Sequence, residues 1–449
     1  MQKPIITFLN HASFIIHFND IKLLVDPYLF GSAFNNGWNL LTEVDHTRQL
    51  ADITHIFYSH EHPDHFSVPF LKKIDQIKRN NITILYQHTY DKRIKSYCQK
   101  LGYKFIELKD KFEEAIGNNF SLMLGKVPFY DSWVNFKIDG INILNVNDCV
   151  LENPKIVLEI KETLQRKIDI LFTQFSYANF INEENQEIRA LRQLEKIKIQ
   201  DKILEPTYII PFASFVYFSH NENKHMNKNI NSISNTYKYL TKNCKAKSII
   251  LSPNEEWTLN NKDNNDSLNF WNDIYANINN LNFRSSLKTY SSDELISESK
   301  KYINKIKRNN NFFLIIILFY LGLFPVIKIY LTDLKKYYKF DIVRGLKETT
   351  NKNSDSFVSF SSETLSFIFC YDYGFDTLQV NARLKCNELY FKKITRCFVL
   401  GSLNNTGRYI KIFDFYKYLN LNFILRGLEI LNIKKNNTFN FNYKYSKDE

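Results

Sequence analysis

Residues 60–65 read His60-Glu61-His62-Pro63-Asp64-His65, directly after the apolar run 53–59, and no other stretch limits the fold as much. Three of the chain's ten histidines fall within these six positions, beside an aspartate. A short apolar run of this kind reads as a buried strand, so the imidazoles stand at its mouth. In an extended or turning backbone alternate side chains point the same way. His60 and His62 can therefore grip one ion while Asp64 and His65 turn towards a second. Imidazole and carboxylate ligands suit zinc, iron or manganese, and the absence of a nearby cysteine argues against a structural zinc knuckle. A two-ion site also needs a bridging group and a partner for each ion, so distant segments must converge on this point.

The surrounding pattern is compatible with such convergence. Strand-like runs at 5–18, 21–25, 53–58 and 82–86 alternate with helical spacing over 68–78, where Phe70, Leu71, Ile74 and Ile77 repeat on one face. A hairpin is predicted from 133–138 and 141–146 around Asp139-Gly140, a two-residue turn that favours tight hairpins. It delivers Asn147-Asp148-Cys149 at the end of its second strand. Helices are predicted over 154–165 and 183–198, with a strand at 168–173 between them. This alternation predicts an α/β chain, a two-sheet sandwich with helices on its outer faces.

The HxHxDH spacing of residues 60–65 resembles the signature of the metallo-β-lactamase superfamily. The resemblance runs through residues 5–27, with Asn10-His11-Ala12-Ser13 and Leu24-Val25-Asp26-Pro27, which look like the first hairpin of that fold. It continues in Gly31-Ser32-Ala33-Phe34-Asn35-Asn36-Gly37-Trp38 and in Pro211-Phe212-Ala213-Ser214-Phe215-Val216 followed by His220. These pieces are similar to the metallo-β-lactamase-like part of CMP-N-acetylneuraminate hydroxylases and their bacterial relatives, over roughly residues 5–260. The resemblance implies an αββα sandwich, a dinuclear centre, Asp148 as the carboxylate bridging both ions and His220 as the last ligand. His225 competes with His220, which stands immediately before the polar run as in the branch. Asp64 and Asp148 are the residues expected to carry catalysis. Asp26 reads as an acceptor that orients a ligand histidine, with a strand-end role as the alternative. His11, Asn35, Asn36 and Trp38 are expected to line the substrate pocket or to pack the loop.

One position departs from the pattern. Where the superfamily usually supplies a further histidine, this chain reads Lys126-Val127-Pro128-Phe129-Tyr130-Asp131-Ser132. Val127 cannot ligate. Asp131 either replaces the histidine, giving a harder, carboxylate-rich site that favours iron or manganese over zinc, or supports a ligand from behind.

Two chemistries compete. Two zinc ions would activate a water for attack on an ester, amide or phosphoester, whereas two irons in the same cage would support dioxygen-dependent hydroxylation. The resemblance and Asp131 favour the di-iron oxygenase, acting on a nucleotide-sugar-like or other polar metabolite. The hydroxylases carry a Rieske domain, and this sequence has no Cys-x-His with Cys-x-x-His pair, so an oxygenase here requires an external electron donor. A catalytically silent scaffold tethered to membrane or partner is the alternative outside enzymology, and retention of the motif residues argues against it.

Composition adds outer limits. Six scattered cysteines with no Cys-x-x-Cys pair, and no basic-then-apolar leader, predict reduced thiols and a cytoplasmic location. The net charge of +12 is spread among asparagines and isoleucines without an arginine-rich arm, so no nucleic-acid partner is expected. The catalytic domain is placed at 1–300. A basic stretch then leads into an uncharged run at 312–327, short of the roughly 20 residues a straight span needs. A docking helix, a membrane-surface anchor and a span remain open for it. With 301–329 as connector, an α+β accessory domain is expected at 330–435, with strands at 357–360, 365–371 and 377–384 and a faint likeness to sterol-carrier-protein modules. An Asn- and Lys-rich disordered tail is expected at 436–449.

Overall fold

A computed structural model of the chain describes residues 3–127, 131–149, 151–350 and 357–411. They divide into two compact units. The first runs to Thr289 and also takes in Ser359–Thr364 and Asp376–Glu388; the second comprises the described residues of Tyr290–Val358, Leu365–Phe375 and those from Leu389 onward.

The first unit is the two-sheet sandwich that the alternation predicts. One seven-stranded sheet has the order Glu256–Trp257, Ile5–Asn10, Ser13–Phe18, Ile21–Val25, His55–Phe57, Thr83–Gln87, Lys104–Leu108. The other has the order Lys247–Ser248, Tyr208–Phe212, Ile170–Gln174, Ile141–Asn145, Asp131–Ile138, Phe120–Val127, Glu113–Gly117. Each sheet joins an antiparallel half to a parallel half. The period-two alternation of strand side chains sets the layers. From the first sheet Phe14, Ile16, Leu23, Val25 and Phe57 enter the core between the sheets, where they meet Phe136, Ile143 and Phe172. Their neighbours Ile15, Leu24, Ile56 and Tyr58 point the other way, onto Phe70, Leu71 and Cys98 of the outer helices. Phe14 and Phe172 stack across the sandwich with centroids 4.2 Å apart.

The helical run at 68–78 is two short helices, Val68–Lys73 and Gln76–Arg79, because Ile74 turns extended and Asp75 caps a new start. The helix Pro154–Leu164 begins on the Asn153 cap with proline in its first turn and ends at Gln165 with φ 48°. The helix predicted from 183 is a 3-10 turn, Glu183–Asn185, leading into Gln186–Leu204. At the predicted hairpin Asp139 and Gly140 both have positive φ, 46° and 88°, as a type I′ turn demands.

In the second unit Ser292–Asn309 starts on a capping box of Ser291 and Glu294. Phe312–Tyr320 follows, then an antiparallel meander of Ile327–Leu331, Lys336–Asp341 and Gly345–Thr349. Residues 301–329 are thus no single connector helix: Ile306, Ile315, Phe319 and Phe324 pack with Ile342 and Leu400 in this unit's own core. No helix among the described residues is long and apolar enough to cross a membrane. The strands expected at 365–371 and 377–384 are helices, Ser362–Cys370 and Gly374–Asn381. Leu365, Ile368 and Phe369 are buried at helical spacing, and a short apolar run does not distinguish the two periods. The strand expected at 357–360 is present as Val358–Phe360. The divisions drawn at 300 and 330 differ from these units, since two later stretches return to the first; 436–449 and the end of 330–435 lie outside the described residues.

Candidate metal centre

The strand His55–Phe57 lies in parallel between Ile21–Val25 and Thr83–Gln87, and at its end the backbone turns. The amides of His65 and Phe66 donate to the His62 carbonyl at 3.0 and 2.7 Å, folding His65 back towards the strand mouth. Ser67 then caps the helix Val68–Lys73. Across the sandwich Ile141–Asn145 ends at the same level. Asn147 takes a left-handed φ of 54°, where short polar side chains are tolerated, and the next residue is Asp148.

Ligand atoms collect in two groups, each within 4.8 Å: His60, His62 and Asp148, and His11, Asp64 and His65. His60 Nε2 and His62 Nδ1 face each other at 2.8 Å. Asp148 Oδ2 lies 3.8 Å from His60 Nε2 and 3.8 Å from His65 Nε2, between the groups. His11 Nε2 is 3.3 Å from Asp64 Oδ2. The second group is fully buried, whereas His62 opens the first to solvent. From the sequence His11 is expected to line the substrate pocket or to pack the loop. Its position in the turn between the first two strands, with φ 41° and its amide held by Asn10 Oδ1, instead brings it beside Asp64 and His65. Only pairing of that hairpin against the motif loop reveals this.

Behind these two groups stands a polar shell. Asp26, fully buried with φ 39°, accepts from Ser59 N (2.8 Å), Ser59 Oγ (2.7 Å) and Asn147 Nδ2 (3.3 Å), and lies 3.1 Å from His65 Nδ1. It fixes the ring that presents Nε2 to the cluster. Asp131 Oδ1 is 3.5 Å from His60 Nδ1, the nitrogen turned away from His62, and Asp131 belongs to neither ligand group. Ser59 Oγ lies 3.0 Å from the same nitrogen. His220 is in neither group: its Nδ1 accepts from Glu222 N at 3.2 Å, and its Nε2 is buried without a hydrogen-bond partner. Asn36 Oδ1 accepts from Ser32 Oγ (2.7 Å) and Arg284 Nη1 (2.9 Å), and the Asn35 carbonyl accepts from Arg383 (2.9 Å). Trp38 is buried against Phe34 and Phe218. Phe34, not singled out from the sequence, puts its ring 5.8 Å from that of His62.

The electrostatics call for cations. Burial drives His60 down to about 3, so it is a neutral donor. Burial would also neutralise Asp64, but His65 and His11 hold its carboxyl well below the usual range. Burial and the adjacent Asp148 push Asp131 well above it. Meanwhile Asp64 Oδ1, Asp148 Oδ1, His65 Nε2 and His11 Nδ1 are all buried with no hydrogen-bond partner. Each such orphan costs about 1–3 kcal/mol, and bound divalent ions would satisfy the two carboxylate oxygens and His65 Nε2, while His11 faces the group through Nε2. All donors are nitrogen or oxygen, a set that fits zinc, iron or manganese.

Residues 5–155 match the family model described as the beta-lactamase superfamily domain. Over 236 residues the chain is 29% identical to the cytidine monophosphate-N-acetylneuraminic acid hydroxylase of Xenopus laevis, covering 49% of this chain and 40% of that protein. It is 26% identical over 237 residues to the human protein named as an inactive form of that hydroxylase, covering 47% of it. The chain thus spans less than half the length of these relatives. Among solved structures it is similar to CmlA, a diiron beta-hydroxylase from Streptomyces venezuelae, over 57% of this chain and 54% of that one, at 15% identity and a TM-score of 0.42.

Proposed function

We propose that the protein, whose residues 5–155 match the beta-lactamase superfamily domain model, is a metal-dependent enzyme with a dinuclear centre, an oxygenase that hydroxylates a nucleotide-sugar-like or other polar metabolite. His60, His62 and Asp148 would hold one ion, and His11, Asp64 and His65 the other, with Asp148 between them. The observation that carries this reading is the pair of adjacent His/Asp groups, in which Asp64, His65 and Asp148 each keep a buried polar atom without a hydrogen-bond partner. Ions bound there would supply Lewis acidity and, if iron, electron transfer to dioxygen. The remaining work falls to the chain. Asp26 sets the orientation of His65, Asp131 and Ser59 support His60, and Phe34 beside the exposed His62 shapes the side from which substrate arrives.

The oxygenase preference is supported by likeness to proteins named hydroxylases over 49% of this chain, and the thiolate-free donor set accommodates iron as well as zinc or manganese. An external electron donor is part of the proposal. A dizinc hydrolase draws support from the same imidazole-rich donors. Metal analysis of protein from iron- and zinc-supplemented cultures, followed by oxygen uptake with a chemical reductant, separates the two. Iron-dependent uptake sustains the oxygenase; zinc-supported hydrolysis of esters or phosphoesters without uptake replaces it.

A further inference from the structure

The stretch Asp376–Glu388, which belongs to the first unit, ends against the loop that carries Phe34. Arg383 is only 1% exposed, and its guanidinium is engaged on every side. Nε donates to Glu222 Oε2 at 2.9 Å, Nη2 lies 2.8 Å from Glu222 Oε2 and 2.9 Å from Glu363 Oε2, and Nη1 donates to the Asn35 carbonyl at 2.9 Å. Two positions earlier Asn381 Nδ2 donates to the Phe34 carbonyl at 3.0 Å, and the Asn381 carbonyl accepts from Asn223 Nδ2 at 2.6 Å. The approach is close enough that a Cβ on Gly37 would lie 2.4 Å from that of Asn381.

The loop held in this way is unusual. Phe34, Asn35 and Asn36 all have left-handed φ, 50°, 53° and 57°. Non-glycine residues adopt this at a cost and persist in it where the surroundings over-determine them. Here two of the three carbonyls are gripped by side chains 347 and 348 positions further along. What the loop presents is the Phe34 ring, 5.8 Å from that of His62. The carboxylate that Arg383 grips, Glu222, is also 3.4 Å from His220 Nδ1.

We infer that Asn381 and Arg383 are positioning residues of the metal centre, holding the loop that sets Phe34 against His62, so that a segment far along the chain builds the outer wall of the site. This rests on the reading of His62 as a ligand. Arginine is required because its planar fork serves two carboxylates and a carbonyl at once, which an ammonium does not reproduce. A simple prop for the fold would leave the loop no more sensitive than the sheets beneath it.

Hydrogen exchange followed by mass spectrometry on the full chain tests this, comparing wild type with Arg383→Met, Arg383→Lys and Asn381→Ala. Exchange across residues 31–38 should rise about tenfold or more in Arg383→Met and Asn381→Ala, by local opening, while the strands Ile141–Asn145 and Ile170–Gln174 keep their protection. Arg383→Lys should fall between. The ion at His60 and His62 should weaken by about tenfold while remaining present in stoichiometric amount. If Arg383→Met does not fold, Asn381→Ala, which removes one neutral side chain, decides on the same peptides. Exchange over 31–38 within about twofold of wild type in every folded variant, or an equal rise in the core strands, overturns the inference. Wild-type protein that binds no metal would sink the proposed function, and the exchange pattern would still decide whether the clamp sets the loop.

Discussion

Asp26→Asn should cost the protein a metal ion without unfolding it. Oδ2 of Asp26 is 3.1 Å from His65 Nδ1, and a carboxylate there can only accept, so with an ion bound the proton would sit on Nδ1 and leave Nε2 as a lone-pair donor on the side of Asp64 and Asp148. An asparagine keeps Oδ1 as acceptor for the Ser59 amide, now 2.8 Å away, but turns its NH2 towards His65. Nδ1 must then accept, the proton moves to Nε2, and the nitrogen that should ligate is blocked. Asp26→Ala perturbs differently. Ser59 Oγ retains His60 Nδ1 at 3.0 Å and Asn147 Nδ2 retains Ser59 Oγ, but Ser59 N and His65 Nδ1 lose their acceptor. The Ser59 hydroxyl also loses the Asp26 oxygen it donates to, so three orphaned buried donors at about 1–3 kcal/mol each predict a loss of about 3–9 kcal/mol. Metal analysis beside urea unfolding reads both effects. Asp26→Asn should bind about one ion in place of two with only modest destabilisation, and Asp26→Ala should weaken metal about ten- to a hundredfold and unfold earlier. Two ions held at wild-type affinity by Asp26→Asn would refute the tautomer argument.

His11→Ala should lower metal content from about two ions to about one, whereas His220→Ala should leave both; inductively coupled plasma analysis showing the reverse would restore His220 as a ligand in place of His11. Phe172→Ala removes the ring stacked on Phe14 in the dry core, and urea unfolding should show a loss of about 3–5 kcal/mol. Lys196 is buried on the helix Gln186–Leu204 with its pKa pushed down to about 8 by burial. The unfolded chain keeps that proton up to about 10.4, so its burial penalty is full below about pH 8 and fades as pH rises to about 10.4. Lys196→Met should therefore stabilise at pH 7 and lose that advantage by about pH 10.4, as pH-resolved unfolding would show. The exposed row Phe313, Ile317, Tyr320 and Leu321, with Lys307 over the Phe312 ring, underlies the proposal of a membrane-surface contact. Co-sedimentation with anionic vesicles should then be lost in Phe313→Ser/Leu321→Ser, and absence of binding by the full chain removes that proposal.

How far the sequence alone reached depends on the range of each interaction. The sandwich was legible because Phe14, Ile16, Leu24 and Ile56 obey a period of two on both faces, and the clustering of the motif loop because its histidines and aspartate are sequential neighbours. That Asp148 comes to the same place was legible through its position at a strand end. His11 was not, because its approach to Asp64 depends on how the first hairpin lies against a loop 53 positions later. Arg383 left no local signal at all, since a lone arginine after a helix reads as surface charge until two carboxylates and a loop carbonyl are seen to enclose it. Where the sequence predicts strands at 365–371 and 377–384 the chain forms the helices Ser362–Cys370 and Gly374–Asn381, because runs of eight or nine residues carry too few turns to declare their period.

An anomalous difference map from crystals of iron-reconstituted protein addresses the central claim most directly. Two peaks about 3.5 Å apart are predicted, one ringed by His60, His62 and Asp148 and the other by His11, Asp64 and His65. A single peak, or a second peak coordinated by His220 with His11 turned away, would contradict the two-group centre.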